Sequence, residues 1–182
     1  MKARLKSIIL SALGVAAAFT TVTVSSCNND PCKSIVCAYG GTCADGDCIC
    51  PSGYEGTHCE VVTREKYRGV WTVFEDGTAT NPAPPYQVSF VNGEGATDMT
   101  ITNFYNTFPG NDINIRVKGD SMFIPQQVVN GYTIEGRGYL TWTGIYPENG
   151  ELTVHYKIVN PEGITNDFGI NTGSPSKWAR QH

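Results

Sequence analysis

The sequence predicts an all-β chain in two parts, a small disulfide-rich module followed by an antiparallel β-barrel-like domain of about eight to ten strands. Three observations predict it. All seven cysteines fall between Cys27 and Cys59, leaving the 123 residues beyond them without one. From Lys66 onward, apolar side chains recur with a period of two. Turn-forming dipeptides separate those runs, and no helical period is sustained. One short segment must therefore be stapled, while the longer one must rely on a core.

The amino terminus is read as an address. Lys2, Arg4 and Lys6 precede an apolar run from Ile8 to Val24, and Ser25, Ser26 and Cys27 follow. A basic, apolar, small-residue order is that of a secretory signal. Val24-Ser25-Ser26-Cys27 resembles the lipobox of bacterial lipoproteins, an aliphatic residue and two small ones before the cysteine that is modified. The resemblance implies cleavage before Cys27 and a covalent lipid, palmitate-type acyl chains included, on its sulfur. One acyl chain anchors only marginally, whereas two or three hold a protein durably at the membrane. The apolar run, broken by Ser11, Thr20, Thr21 and Thr23, is short for spanning about 30 Å of hydrocarbon. Asn28 is not the aspartate that commonly retains such proteins at the inner membrane, so the expected location is the outer membrane, facing either the periplasm or the outside.

Cys32, Cys37, Cys43, Cys48, Cys50 and Cys59 remain. So short an exported segment cannot bury enough surface to fold unaided, and its even cysteine count implies bridges. Six cysteines allow 15 pairings, and spacing alone does not select one. Zinc is the competing use of clustered thiols, but an oxidising compartment favours disulfides. The pattern Cys-x4-Cys-x5-Cys-x4-Cys-x-Cys-x8-Cys, with Gly40-Gly41-Thr42-Cys43 and the Gly53-Tyr54-Glu55-Gly56 turn, resembles an EGF-like domain. That resemblance implies Cys32 paired with Cys43, Cys37 with Cys48, and Cys50 with Cys59. Asp45-Gly46 favours a tight primed turn between its hairpin strands. Some EGF-like domains hold calcium through acidic or amide residues near the first cysteine. Asn28, Asn29 and Asp30 match that weakly, Pro31 stands where an acidic ligand belongs, and the loop after Cys43 is too short for the second element, so neither calcium nor another metal is expected.

The chain thus divides into a lipoprotein signal peptide (1–26), a lipidated cysteine and spacer (27–31), an EGF-like domain (32–60), a linker (61–65) and a barrel-like domain (66–182). In the last part Ile113, Ile115 and Val117 alternate with polar residues, as do Leu152, Val154, Tyr156 and Ile158. The same holds for Tyr86, Val88 and Phe90, for Met99 and Ile101, and for Tyr132, Ile134, Leu140 and Trp142. Turns are marked by Asn92-Gly93, Pro109-Gly110-Asn111, Gly119-Asp120, Asn130-Gly131, Asn149-Gly150 and Asn160-Pro161. Gly136 and Gly138 fall on an inward register, which marks a bend or a close backbone approach and favours a closed barrel. Tyr67-Arg68-Gly69-Val70-Trp71 resembles the Gly-x-Trp start of lipocalin-like barrels. In that family a late arginine stacks over the tryptophan and closes the barrel floor, a role the resemblance gives to Arg180 with Gly69 and Trp71. As a whole the chain resembles envelope lipoproteins of Gram-negative gut-type bacteria, a likeness that carries architecture and address but no activity.

Without Lys2, Arg4 and Lys6, ten cations face 17 anions, a net charge of -7. That leaves no counterion-release drive toward nucleic acid and no attraction to anionic headgroups, so membrane contact is expected through the lipid anchor. His58, His155 and His182 have no metal-ligand spacing and read as solvated side chains. Glu75, Asp76, Glu135 and Glu151 read as surface carboxylates, and no nucleophile elbow, phosphate loop or dinucleotide fingerprint is present. No enzyme and no cofactor is expected. Tyr105, Phe108, Trp142 and Tyr146 are the candidate binding residues, as aromatic anchors at a barrel rim or as plugs of its ends. The leading expectation is a membrane-tethered, non-enzymatic lipoprotein that binds a protein or glycan at the cell envelope. The alternatives are a carrier of a small apolar ligand within the barrel, and an envelope protease or hydrolase inhibitor acting through Thr107-Phe108-Pro109-Gly110.

Overall fold

The computed structural model describes residues 30–79, 84–106, 112–142 and 150–180. Cys27, Phe108 and Tyr146, together with the signal segment and the loop from Thr107 to Gly110, lie outside them. Among the described residues no helix is long and apolar enough to cross a membrane.

The disulfide-rich module comes first. A 3-10 turn, Ala38–Gly40, precedes two small hairpins, β1 (Thr42–Ala44) with β2 (Asp47–Ile49) and β3 (Tyr54–Glu55) with β4 (Val61–Val62). Asp45 and Gly46 take φ of 52° and 96°, the primed turn that Asp-Gly accommodates. Disulfides join Cys32 to Cys43, Cys37 to Cys48 and Cys50 to Cys59, the pairs that the EGF-like resemblance implies. Among residues 30–60 only Cys59 is a fully buried apolar side chain. Covalent bonds here stand in for a core.

A second 3-10 turn, Thr63–Lys66, leads into the barrel. Strands β5 (Gly69–Phe74), β6 (Tyr86–Asn92), β7 (Asp98–Thr102), β8 (Ile113–Lys118), β9 (Ser121–Val129), β10 (Tyr132–Trp142) and β11 (Gly150–Val159) run up and down, each antiparallel to the next. The other edge of β11 is shared by two short strands in series, β12 (Thr165–Phe168) and β13 (Ser176–Arg180). Pairing of β13 with β5 closes the ring at eight positions. Among the described residues closure leaves β5 to β11 each paired on both sides, so none of them offers an edge to a second chain.

The period-two pattern accounts for the core. Ile113, Ile115 and Val117 alternate strictly between buried and exposed with their neighbours, and Leu152, Val154, Tyr156 and Ile158 all face inward. Burying each such side chain stabilises the fold by about 1.5–3 kcal/mol. Trp71, Ile113, Val154 and Tyr156 are all 0% exposed, so the interior is packed with side chains. Gly136 and Gly138 lie where the wall is tightest. A Cβ on Gly136 would meet the His155 carbonyl and Tyr156 Cβ at 2.5 Å, and one on Gly138 would meet Met122 Cε at 2.8 Å. Beside Gly136 the β9–β10 register shifts, with Pro125 in the bulged stretch of β9, a place where its missing N–H costs no ladder bond.

The break between β12 and β13 is organised by one carboxylate. Asp167 accepts backbone N–H bonds from Ile170 at 2.7 Å and from Asn171 at 3.0 Å. His155, read from sequence as solvated, is instead half-buried against this loop, where its Nδ1 donates to the Gly169 carbonyl at 2.8 Å. The strand pattern puts His155 on the outer face, but the excursion between β12 and β13 folds over it.

Candidate functional site

The two ends of the barrel are built differently. At the end nearer the disulfide module, the 3-10 turn and its neighbours form a floor. Trp71 Nε1 donates to the Tyr67 carbonyl at 2.8 Å, and Tyr67, itself buried, donates its hydroxyl to the Gly119 carbonyl at 3.0 Å. Arg180 lies 5.6 Å from the Trp71 ring centroid and 6.0 Å from that of Trp142. Its two terminal nitrogens donate to the carbonyls of Lys66 and Arg68 at 2.8 and 2.7 Å. Gly69 is held at φ 121°, a backbone conformation that side chains rarely adopt, with Arg180 in ordinary contact distance, 3.7 Å, of where a Cβ would stand. Gly69, Trp71 and Arg180 therefore meet at one floor.

The floor is also the joint between modules. Lys66 Nζ lies 2.9 Å from Glu55 of β3 and 2.7 Å from Asp120 of the β8–β9 turn. Arg64 donates to the carbonyls of Gly93 and Gly95 in the β6–β7 loop. Charge-assisted bonds at a half-buried seam hold geometry better than exposed pairs do.

The opposite end is a mouth. After β7 the chain turns through Asn103, Tyr105 and Asn106, all at positive φ (60°, 63° and 43°). A left-handed tyrosine stores strain of order 1–3 kcal/mol and persists only where its surroundings dictate it. The turn drives Phe104 inward, edge-on to Tyr156 at 5.0 Å between centroids, and leaves Tyr105 half-exposed above it. Tyr105 receives a bond from Asn166 Nδ2 at 2.9 Å. With Tyr132, Ile158, Asn160 and Ile164 these residues line a cleft of about 340 Å³.

Beneath the mouth sits a carboxylate that sequence reading misplaces. Glu75, expected at the surface, is turned inward: Tyr156 donates to its Oε1 at 2.6 Å and Ser176 at 3.2 Å. Trp178 Nε1 donates in turn to Ser176 Oγ at 2.6 Å. The Tyr86 hydroxyl faces the same carboxylate in looser geometry. Burial raises the pKa of Glu75 above its usual value, against the pull of the Tyr156, Tyr86 and Ser176 hydroxyls. Burial, reinforced by the charge of Glu75, also raises the phenols of Tyr86 and Tyr156. A raised acid pKa means that the folded state holds its proton more tightly than the unfolded chain. The sign follows: stability contributed by this group is full below the ordinary glutamate pKa of 4.5 and is lost as pH rises through the higher folded value. Glu75→Gln is accordingly expected to abolish that loss, so the stability difference between variant and parent should shift in the variant's favour from pH 4 to pH 7 in urea titrations.

The structure separates the candidate binding aromatics. Tyr105 stands at the mouth, whereas Trp142 ends β10 at the floor, packed beside Arg180 and against Gly150, so the two do not form one rim. Glu135 and Glu151 are surface ion-pair partners of Lys157 at 2.6 Å and Lys177 at 3.0 Å. Among the described residues no group of histidine, cysteine, aspartate and glutamate side chains is placed to hold a metal.

Fold and site together define a class: a three-disulfide EGF-like module keyed to the closed floor of an antiparallel β-barrel whose other end bears a tyrosine-lined mouth. Residues 34–62 match the Teneurin-like EGF domain family. Over 37 residues the chain is 51% identical to protein kinase C-binding protein NELL1 of Mus musculus, and equally to that of Rattus norvegicus. The match covers 18% of this chain and 5% of each relative, so it concerns the module alone. No solved structure matches the chain.

Proposed function

We propose that this chain is a lipid-tethered, non-enzymatic binding protein of the bacterial cell envelope. Cys27 carries the acyl chains, the EGF-like module is the spacer, and the barrel is the head that meets a protein or glycan partner. The observation that supports this reading is the polarity of the molecule. Lys66 ties Glu55 of the module to Asp120 of the barrel at the floor, and the mouth with its strained Tyr105 lies at the far end. A tether at the amino-terminal side therefore holds the mouth away from the membrane. The packed interior favours surface recognition over carriage of an apolar ligand. The late-arginine floor further supports the likeness to lipocalin-like barrels.

The expected result is direct. Protein recovered from an envelope fraction should begin at Cys27 and carry the mass of a diacylglyceryl group, and Cys27→Ser should release it from the membrane. Tyr105→Ala should weaken capture by immobilised envelope components while leaving membrane attachment intact. An unacylated terminus, or turnover of glycan, peptide or ester substrates by the pure protein, would overturn the reading.

A further inference from the structure

The outer wall of the barrel carries a row of side chains that the core does not require. Arg116 of β8 stands directly opposite Phe123 of β9, and Phe123 directly opposite Arg137 of β10. All three face solvent, Phe123 with 47% of its surface exposed. Two residues along the strands, Lys118 faces Ser121 and Ser121 faces Tyr139, a second exposed ring. Cations thus gather around aromatic faces on a chain whose net charge is -4. The acids beside the row are Asp98, 3.6 Å from Arg116, and Glu135, which Lys157 engages at 2.6 Å. Where the row meets the inter-module cleft stand Glu55 and Asp120, both engaged by Lys66, at 2.9 and 2.7 Å. Among the described residues no ion pair or side-chain hydrogen bond takes up Arg137 or Lys118. The row opens onto a cleft of about 600 Å³ between the modules, walled by Pro51, Tyr54 and Glu55 on one side and by Lys118, Ser121 and Phe123 on the other.

We propose that this face binds a linear polysaccharide carrying uronate carboxylates on alternate sugars, laid across β8, β9 and β10. A guanidinium fork matches a carboxylate with two parallel bonds. Arg116 and Arg137 stand two strand spacings apart, about 9–10 Å, with the Phe123 ring between them. An extended chain can then place one carboxylate on each arginine and the C–H face of the intervening sugar on the phenyl ring. The exposed Asp98–Arg116 pair is weak enough to yield to a ligand carboxylate. An acidic peptide fits less well, because extended peptides bind sheets by adding a strand at an open edge. Here β8, β9 and β10 are each paired on both sides. The proposal goes beyond the tethered-binder reading and uses a different part of the barrel from the mouth.

Titration calorimetry of the full chain in neutral detergent micelles tests it. Hyaluronate is expected to bind saturably, more weakly as salt rises, and uncharged dextran not at all. Arg137→Ala and Phe123→Ala should each lower hyaluronate affinity by about tenfold or more, and Phe123→Trp should retain it. Unchanged thermal unfolding of these surface variants would separate lost binding from lost fold. Absence of hyaluronate binding, equal binding of poly-glutamate or of phosphatidylglycerol-doped micelles, or unchanged affinity in both alanine variants would overturn the proposal. Such a failure leaves the tethered-binder reading standing, because Cys27 acylation and capture through Tyr105 do not depend on this face.

Discussion

Trp71→Ala is expected to destabilise the barrel by about 3–5 kcal/mol, the usual cost of truncating a fully buried aromatic, read as a lower midpoint in urea with circular dichroism. The ring is 0% exposed and lies edge-on to Phe90 at 6.0 Å between centroids. Its removal would open a cavity at the floor, strip the Tyr67 carbonyl of its indole donor and leave Arg180 without one of its two rings. Trp71→Phe keeps most of the volume and loses the bond, so it should cost clearly less. Arg180→Ala removes a cation–ring contact worth about 0.5–2 kcal/mol and the bonds to Lys66 and Arg68. If Trp71→Ala cost no more than Arg180→Ala, the buried indole would not be what holds the floor together.

That floor was legible in the sequence only through two distant parts taken together, since a Gly-x-Trp run alone is common. A tryptophan two residues after Gly69 and an arginine beside the last tryptophan narrow the reading, whereas the strands were legible through a repeated physical constraint. Each strand of a filled barrel has one dry face, so Val88, Ile115 and Val154 had to alternate with polar neighbours. Glu75 escaped the same reasoning. Residue type gives the cost of burying a carboxylate but not whether distant hydroxyls will offset it. The groups that do so, Tyr156 and Ser176, lie 81 and 101 positions away along the chain. The mouth was half-legible for a related reason. Tyr105 stood out as an aromatic in a loop, but nothing local showed that left-handed Asn103 and Asn106 would send Phe104 inward and hold Tyr105 out. Trp142 was grouped with Tyr105 by composition, and only the up-and-down order of the strands sends them to opposite ends. The outer row of Arg116, Phe123 and Arg137 depends on cross-strand register, which no single strand encodes.

Reduction of the three disulfides is expected to unfold the EGF-like module while the barrel stays folded. The bridges close segments with sequence separations of 11, 11 and 9, and loops of this size contribute about 2–3 kcal/mol each. A segment with a single fully buried apolar side chain has nothing to replace them. The barrel rests on no disulfide, since no cysteine follows Cys59. Hydrogen exchange read by mass spectrometry should therefore show rapid exchange across residues 32–60 after reduction, with protection of β8 to β11 retained. The seam is the informative part. Lys66 would lose Glu55 but keep Asp120, and Tyr67 would keep the Gly119 carbonyl, so β5 and the 3-10 turn before it should lose little protection. Protection lost from the whole chain at once would mean that the two modules share a single folding unit, and protection retained in the reduced module would mean that its fold does not rest on its bridges.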